Sequence, residues 1–211
     1  MADINVLVPL AQGCEELEAV TITDLLTRAG FRVVTAGLDD KPVTASRGMV
    51  LVPSTTMEIV MDHEFDLMVL PGGLPGADHL RDHPLVQEKI KQMAGQDKYV
   101  AAICAAPKAL AQAGVLDGRR ATSYPGSLND ANVTGLDYVD EDVVVDGKVV
   151  TSRGPGTAMD FTLTLIELLA GKEARKKVET PLLNPRLYFL SNETAKPLSN
   201  KSINSIPSFK S

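Results

Sequence analysis

The sequence has no tryptophan, only two cysteines and three histidines among 211 residues, and aromatic side chains make up 4% of it. Two thiols cannot build a disulfide framework. A chain of this length needs none, since it buries on the order of 70% of the surface its unfolded form exposes. No apolar run approaches the roughly 18 residues of a membrane helix, and Met1-Ala2-Asp3 does not resemble the start of a signal peptide. Positive charge is also in deficit, with 21 Lys and Arg against 27 Asp and Glu. That balance argues against an extended nucleic-acid surface, which relies on clustered basic side chains. Together these absences predict a globular, cytoplasmic protein with free thiols and no membrane segment.

The charge deficit is uneven. Residues 191–211 carry Glu193 against three Lys, a net of +2, which leaves −8 on residues 1–190. Nine of those last 21 residues are Ser or Asn, with no helical or strand period. Such a composition cannot bury enough apolar surface to offset its ordering entropy. The expectation is one folded domain over residues 1–190 and a disordered tail over 191–211.

What the domain does contain is an alternation. Short, nearly continuous apolar runs appear at Ile4–Leu10, Phe31–Gly37, Asp66–Leu70, Tyr99–Ile103 and Ala121–Tyr124. Segments of helical period lie at Glu15–Ala29, Leu85–Ala94 and Ala105–Ala113. Continuous apolar strands are buried on both faces, which requires helices on both sides of a mostly parallel sheet. Two hairpins interrupt the pattern, Val43–Pro53 turning near Arg47-Gly48 and Tyr138–Ser152 turning at Asp146-Gly147, a type I′ dipeptide. A long helix, Thr157–Ala170, is capped by Gly171 and followed by a charged one from Lys172 to about Thr180. The fold class is a single doubly wound α/β domain.

In such sheets ligands bind beyond the carboxyl ends of the strands. One of those ends runs directly into Cys104, flanked by alanines and followed by a helical stretch. Small neighbours suit a sharp strand-to-helix turn that thrusts a reactive atom above the sheet, and a helix N-terminus favours thiolate. A buried structural cysteine is the competing reading. Glu18 shares a helical stripe with Ile22, Leu25 and Ala29, so its carboxyl faces inward. There it would tend to keep its proton and to form a coupled pair with Cys104. Otherwise it is a first-turn acid, as Glu15 and Glu16 are read to be. The paired glycines Gly72 and Gly73 offer backbone N–H groups for an oxyanion, or simply a tight turn. His79 and His83 have the spacing of a metal pair, but no further ligand cluster accompanies them and they read as surface histidines. Gly154-Pro155-Gly156 is not a nucleotide site, because Met159 fills the third glycine position.

Four segments in this order carry a resemblance. Gly13-Cys14-Glu15-Glu16-Leu17-Glu18-Ala19-Val20, Leu70-Pro71-Gly72-Gly73, Ala101-Ala102-Ile103-Cys104-Ala105-Ala106-Pro107 and Thr151-Ser152-Arg153-Gly154-Pro155-Gly156-Thr157 are similar to the ThiJ/PfpI superfamily. More narrowly, they resemble its branch of parkinsonism-associated deglycases (DJ-one) and their bacterial relatives, over residues 3 to 183. The resemblance implies a flavodoxin-like fold and a homodimer. It implies that Cys104 is the nucleophile and Glu18 the acid bonded to it, with Gly73 and Ala105 N–H groups stabilising an anion. Arg47 and Arg153 match arginines that gather near the site and the dimer interface. The implied chemistry is glyoxalase or deglycase action on methylglyoxal and its adducts, with no cofactor, or redox sensing and chaperoning through Cys104. Two departures stand out. Tyr124 occupies the place of a histidine found in many relatives, which weakens any hydrolase reading, and Cys14 stands where a small non-thiol residue is common, to be read either as a resolving cysteine or as a small buried thiol.

Overall fold

The computed structural model describes residues 3–183. The expected tail and the last few residues assigned to the domain lie outside the described residues. Four of the strongest apolar runs form the centre of a seven-stranded sheet: β1 (Asn5–Leu10), β2 (Arg32–Gly37), β6 (Leu67–Leu70) and β7 (Tyr99–Ile103). The short strand β5 (Thr55–Thr56) pairs with β2, and the hairpin β10 (Val143–Asp146) and β11 (Val149–Ser152) completes the other edge. The order is β10-β11-β7-β6-β1-β2-β5, parallel throughout except where β10 runs antiparallel to β11. All four residues of β6 are buried and five of six in β1, as a sheet covered on both faces requires. This is the flavodoxin-like order, and the chain reverses direction across the sheet between β1 and β6.

Helices cover both faces. Helix α1 (Glu16–Arg28) packs on α6 (Ala158–Glu179), while α2 (Met57–Val60), α3 (Gly76–Asp82), α4 (Pro84–Gly95) and α5 (Pro107–Gln112) pack with one another. Helix α1 buries Ala19, Ile22, Leu25 and Leu26 along one stripe. Pro84 opens α4 at its first turn, where the missing N–H costs nothing. Gly171 leaves the helical region inside α6 (φ 84°, ψ 172°), so the two helices expected on either side of it meet there at a kink.

Three expectations change. The run Ala121–Tyr124 does not join the main sheet: only its first residue is in a strand, β8 (Arg120–Ala121), which pairs parallel to β9 (Asp137–Tyr138) in a separate two-stranded sheet. The reason is that β11 takes the place beside β7. The run's N–H groups go elsewhere, Thr122 to the Thr151 hydroxyl and Tyr124 to the Cys104 carbonyl. Tyr138 correspondingly belongs to β9 and not to the hairpin. That hairpin turns one residue later than read, at Gly147-Lys148, because Asp146 still pairs with Val149. Only Gly147 of those two has positive φ (60°), so the turn is not of type I′. The first hairpin is real but minimal, β3 (Val43–Thr44) with β4 (Val50–Leu51).

Candidate functional site

Three adjacent strands of the sheet, β7, β6 and β1, end side by side, and the turns beyond them carry Cys104, Gly72-Gly73 and the segment 11–16. Cys104 lies in the left-handed region at φ 62°, uncommon for a residue with a side chain. Backbone bonds hold it there: its N–H donates to the Ser152 carbonyl (2.9 Å), and its carbonyl accepts the Tyr124 N–H (2.7 Å). The Gly73 and Ala105 N–H groups both act on its sulfur, each favouring the thiolate. Helix α5 begins only at Pro107, so the donors at the sulfur come from the turns. The residue is 9% exposed, nearly enclosed but still reachable.

Glu18 is completely buried on the inward stripe of α1. Its Oε2 accepts the Gly72 N–H at 2.7 Å, and its carboxyl interacts with the Cys104 side chain. Oε1 has no hydrogen-bond partner of ordinary geometry. Gly72 is required by space: a Cβ there would lie 2.6 Å from the Cys104 Cβ and 2.9 Å from Glu18 Oε2. Gly73 is required by both space and backbone, with φ 88° and the Glu15 nitrogen 2.4 Å from any added Cβ. The glycine pair therefore does more than turn the chain. It lets acid and thiol meet and offers each an N–H.

Burial raises Glu18 from 4.5 to about 7. Burial and the negative charge of Glu18 push the Cys104 thiol up to about 12, against the pull of the Gly73 and Ala105 N–H groups. A simple low-pKa thiol, as a helix N-terminus alone would give, is therefore not what surrounds Cys104. The two groups form one pair that loses a first proton near 7 and a second near 12. Hydrogen bonding places the proton that remains between these steps. The Gly73 and Ala105 N–H groups act on a sulfur that is a poor acceptor as a thiol and a strong one as thiolate. A protonated Glu18 can direct its O–H from the otherwise unpartnered Oε1. Both features favour a carboxylic acid at Glu18 and a thiolate at Cys104.

The other candidates lie at varied distances from this pair. Tyr124 is half exposed and lines a cleft of about 360 Å³ with Pro125, Asp142, Arg153, Pro155 and Thr157. Arg153 is ion-paired with Asp140. Arg47 is exposed on the first hairpin, and its guanidinium reaches only the Ser46 carbonyl. Cys14 is fully buried, and burial followed by the Glu16 charge raises its thiol to about 11. That environment suits a small packed thiol better than a resolving one. His79 contacts the Gln12 carbonyl at 3.0 Å, and His83 precedes α4. Among the described residues no group of His, Cys, Asp or Glu could hold a metal ion.

The sequence reading missed the role of Glu16. It is only 9% exposed, and its carboxylate accepts the Arg47 N–H (2.9 and 3.1 Å), the Ser46 hydroxyl (3.0 Å) and the Met49 N–H (3.4 Å). No helical period reveals this, because its partners lie 30 or more residues away.

Known proteins are similar to this chain in sequence and in fold. The protein dj-1beta of Drosophila melanogaster is 43% identical over 181 residues, covering 85% of this chain and 96% of that one. Its crystal structure superposes with a TM-score of 0.82 over 86% of this chain and 98% of that one. The oxidized DJ-1 of Toxoplasma gondii is 39% identical, with a TM-score of 0.80 over 85% and 98% of the two chains. A glutathione-independent glyoxalase of Caenorhabditis elegans, DJR-1.2, is 33% identical over 81% of this chain and 91% of that one. The DJ-1/PfpI family model matches residues 4–168, and the chain belongs to that family.

Proposed function

We propose that this protein is a cofactor-independent, cysteine-dependent glyoxalase that converts methylglyoxal-type 2-oxoaldehydes to 2-hydroxy acids in the cytoplasm. The observation that carries the reading is the buried Glu18 carboxyl, held by the Gly72 N–H, against a positive-φ Cys104 across a glycine with no room for a side chain. It is supported by membership of a family that includes a named glutathione-independent glyoxalase.

The thiolate attacks the aldehyde carbon, and the alkoxide takes the Glu18 proton to give a hemithioacetal. The Glu18 carboxylate then removes the hydrogen of that carbon, and the electron pair moves onto the neighbouring carbonyl as an enediolate. N–H groups of Gly73 and Ala105 stabilise the developing oxyanion, with Gly72 holding the acid in place. Glu18 returns its proton to the second carbon while the hydroxyl proton of the first carbon passes to the second oxygen, leaving a lactoyl thioester on Cys104. Water hydrolyses the thioester to lactate and restores the thiolate and the acid. Applied to an aldehyde already condensed with an amine or thiol, the same steps would release glycated protein or nucleotide adducts, a deglycase activity. Tyr124 walls the site at its mouth, where a histidine base is absent, and Arg47 and Arg153 would attract anionic product.

Lactate release from methylglyoxal by wild type, Cys104→Ala and Glu18→Ala tests this. Both variants should lose activity by at least about a thousandfold. Turnover that survives loss of Cys104 contradicts the mechanism.

A second reading is redox sensing or chaperoning through oxidation of Cys104 to a sulfinate. The N–H groups of Gly73 and Ala105 would donate to its oxygens, and a protonated Glu18 would supply a further donor from Oε1. An oxidized relative supports it. Mild peroxide should then add two oxygens to Cys104 while sparing Cys14.

The protein is further proposed to act as a homodimer. Leu17 and Val20 of α1 and Met49, Val50 and Val52 of the first hairpin are 44–77% exposed and flank the Glu16 clamp, an apolar patch suited to a second copy.

A further inference from the structure

Glu16 sits at the head of a chain of contacts that ends on the reacting pair. The first hairpin has strands of two residues each, too short to stand alone. It is held from outside by the turn 11–16: Gly13 N–H donates to the Thr44 carbonyl (2.8 Å), Ser46 N–H to the Cys14 carbonyl (2.8 Å), and Thr44 N–H to Gln12 Oε1 (2.9 Å). The Glu16 carboxylate closes this seam with its bonds to Ser46, Arg47 and Met49, and the Ser46 hydroxyl also reaches Glu15 Oε2 at 2.8 Å.

The opposite side of the same turn supports the catalytic glycines. Glu15 N–H donates to the Gly72 carbonyl (2.9 Å) and Gly76 N–H to the Gly13 carbonyl (3.3 Å). Gly73 abuts the Glu15 nitrogen so closely that no Cβ fits between them. Gly72 in turn holds Glu18 through its N–H and lies against the Cys104 side chain, where no Cβ would fit, and the Gly73 N–H acts on the sulfur. The turn is thus clamped between the hairpin and the glycine pair, and two carboxylates bind its hairpin side: Glu16 through Ser46, Arg47 and Met49, and Glu15 through Ser46 alone.

We infer that Glu16 is a positioning residue for the Cys104–Glu18 pair: by anchoring the hairpin 43–51 to the turn 11–16 it fixes the Gly72 and Gly73 N–H groups at the acid and the sulfur. Glu16 touches neither reacting group and acts only through this seam. Its carboxylate also sets where Arg47 and the apolar edge Met49–Val50 lie, so site and patch share one anchor.

The inference rests on the glyoxalase reading only for its kinetic arm. Cys104 alkylation by iodoacetamide, followed against pH, reads the thiolate directly and needs no turnover. Glu16→Ala should slow alkylation of Cys104 at neutral pH by about tenfold to a hundredfold and displace its pH midpoint upward. For methylglyoxal it should lower kcat by a similar factor and change KM less than about twofold. Glu16→Gln, which keeps the volume and one carbonyl acceptor, should fall between wild type and Glu16→Ala, and it answers for the case in which the alanine variant does not fold. Unchanged alkylation rate and midpoint in folded Glu16→Ala or Glu16→Gln would overturn the inference. Altered alkylation in a protein that never turns over methylglyoxal would leave it standing and remove the glyoxalase reading instead.

Discussion

Glu18 and Cys104 share two protons, and both steps lie above the ordinary values of 4.5 and 9.0. The sign of the consequence follows from linkage. A group whose folded pKa is raised contributes stability that is complete below its unfolded value and lost as pH rises through its folded value. The buried pair should therefore cost the native state on the order of 3 kcal/mol between pH 4.5 and about 7, because the unfolded chain ionises Glu18 in that interval while the native pair keeps both protons. Glu18→Gln removes that titration, so the stability difference between variant and wild type should grow in the variant's favour across this interval. Urea unfolding at several pH values measures it. A difference that is flat with pH would show that Glu18 is not the buried acid. In the sequence, the inward carboxyl at position 18 was legible from helical spacing alone. The raised Cys104 pKa was not, because the thiol's main perturbers are its own burial and an acid 86 residues away in the chain.

At the scale of elements, long periodic segments were readable and short ones were not. Helix α1 and strands β1, β2, β6 and β7 sit within a residue of their expected limits, because each contains enough apolar positions to define its period. The elements α2, α3 and β5 have four, seven and two residues and went unread. So did the exclusion of Ala121–Tyr124 from the sheet, which depends on a hairpin later in the chain taking the place beside β7. Lys89 makes the same point. It is 1% exposed in the middle of α4, where its ammonium donates to the carbonyls of Met61 (2.9 Å) and His63 (2.7 Å) and lies 5.5 Å from the Phe65 ring. It pins the segment after α2, which has only one turn of its own. Lys89→Ala leaves two carbonyls without their donor and a cavity behind, and should destabilise the protein by about 2–4 kcal/mol. The urea midpoint should fall with an unchanged slope.

For the molecule as a whole, the flavodoxin-like order was implied by resemblance. The alternation of segments supported only a doubly wound sheet. The geometry adds why the site lies where it does. The chain reverses across β1 and β6, so the turns of three adjacent strands converge at one edge. The apolar patch of Leu17, Val20, Met49, Val50 and Val52 could not be read beforehand, since it joins a helix face to a hairpin edge. Val50→Asp should bring like charges into the proposed interface between copies and weaken association by at least about tenfold, read by sedimentation equilibrium. A monomer at all concentrations in wild type would remove the dimer reading.

The proposed mechanism requires that the proton remaining on the pair at neutral pH reside on Glu18, leaving Cys104 as thiolate. The direct measurement is the ultraviolet thiolate absorbance against pH, with Cys104→Ser subtracted to remove Cys14. Wild type should show a rise with a midpoint near 7, and Glu18→Gln a single step at higher pH, since the amide donates more weakly to the thiolate while burial still opposes its charge. Absence of thiolate until the pH approaches 12 would contradict it, since the proton would then stay on sulfur while Glu18 carried the charge.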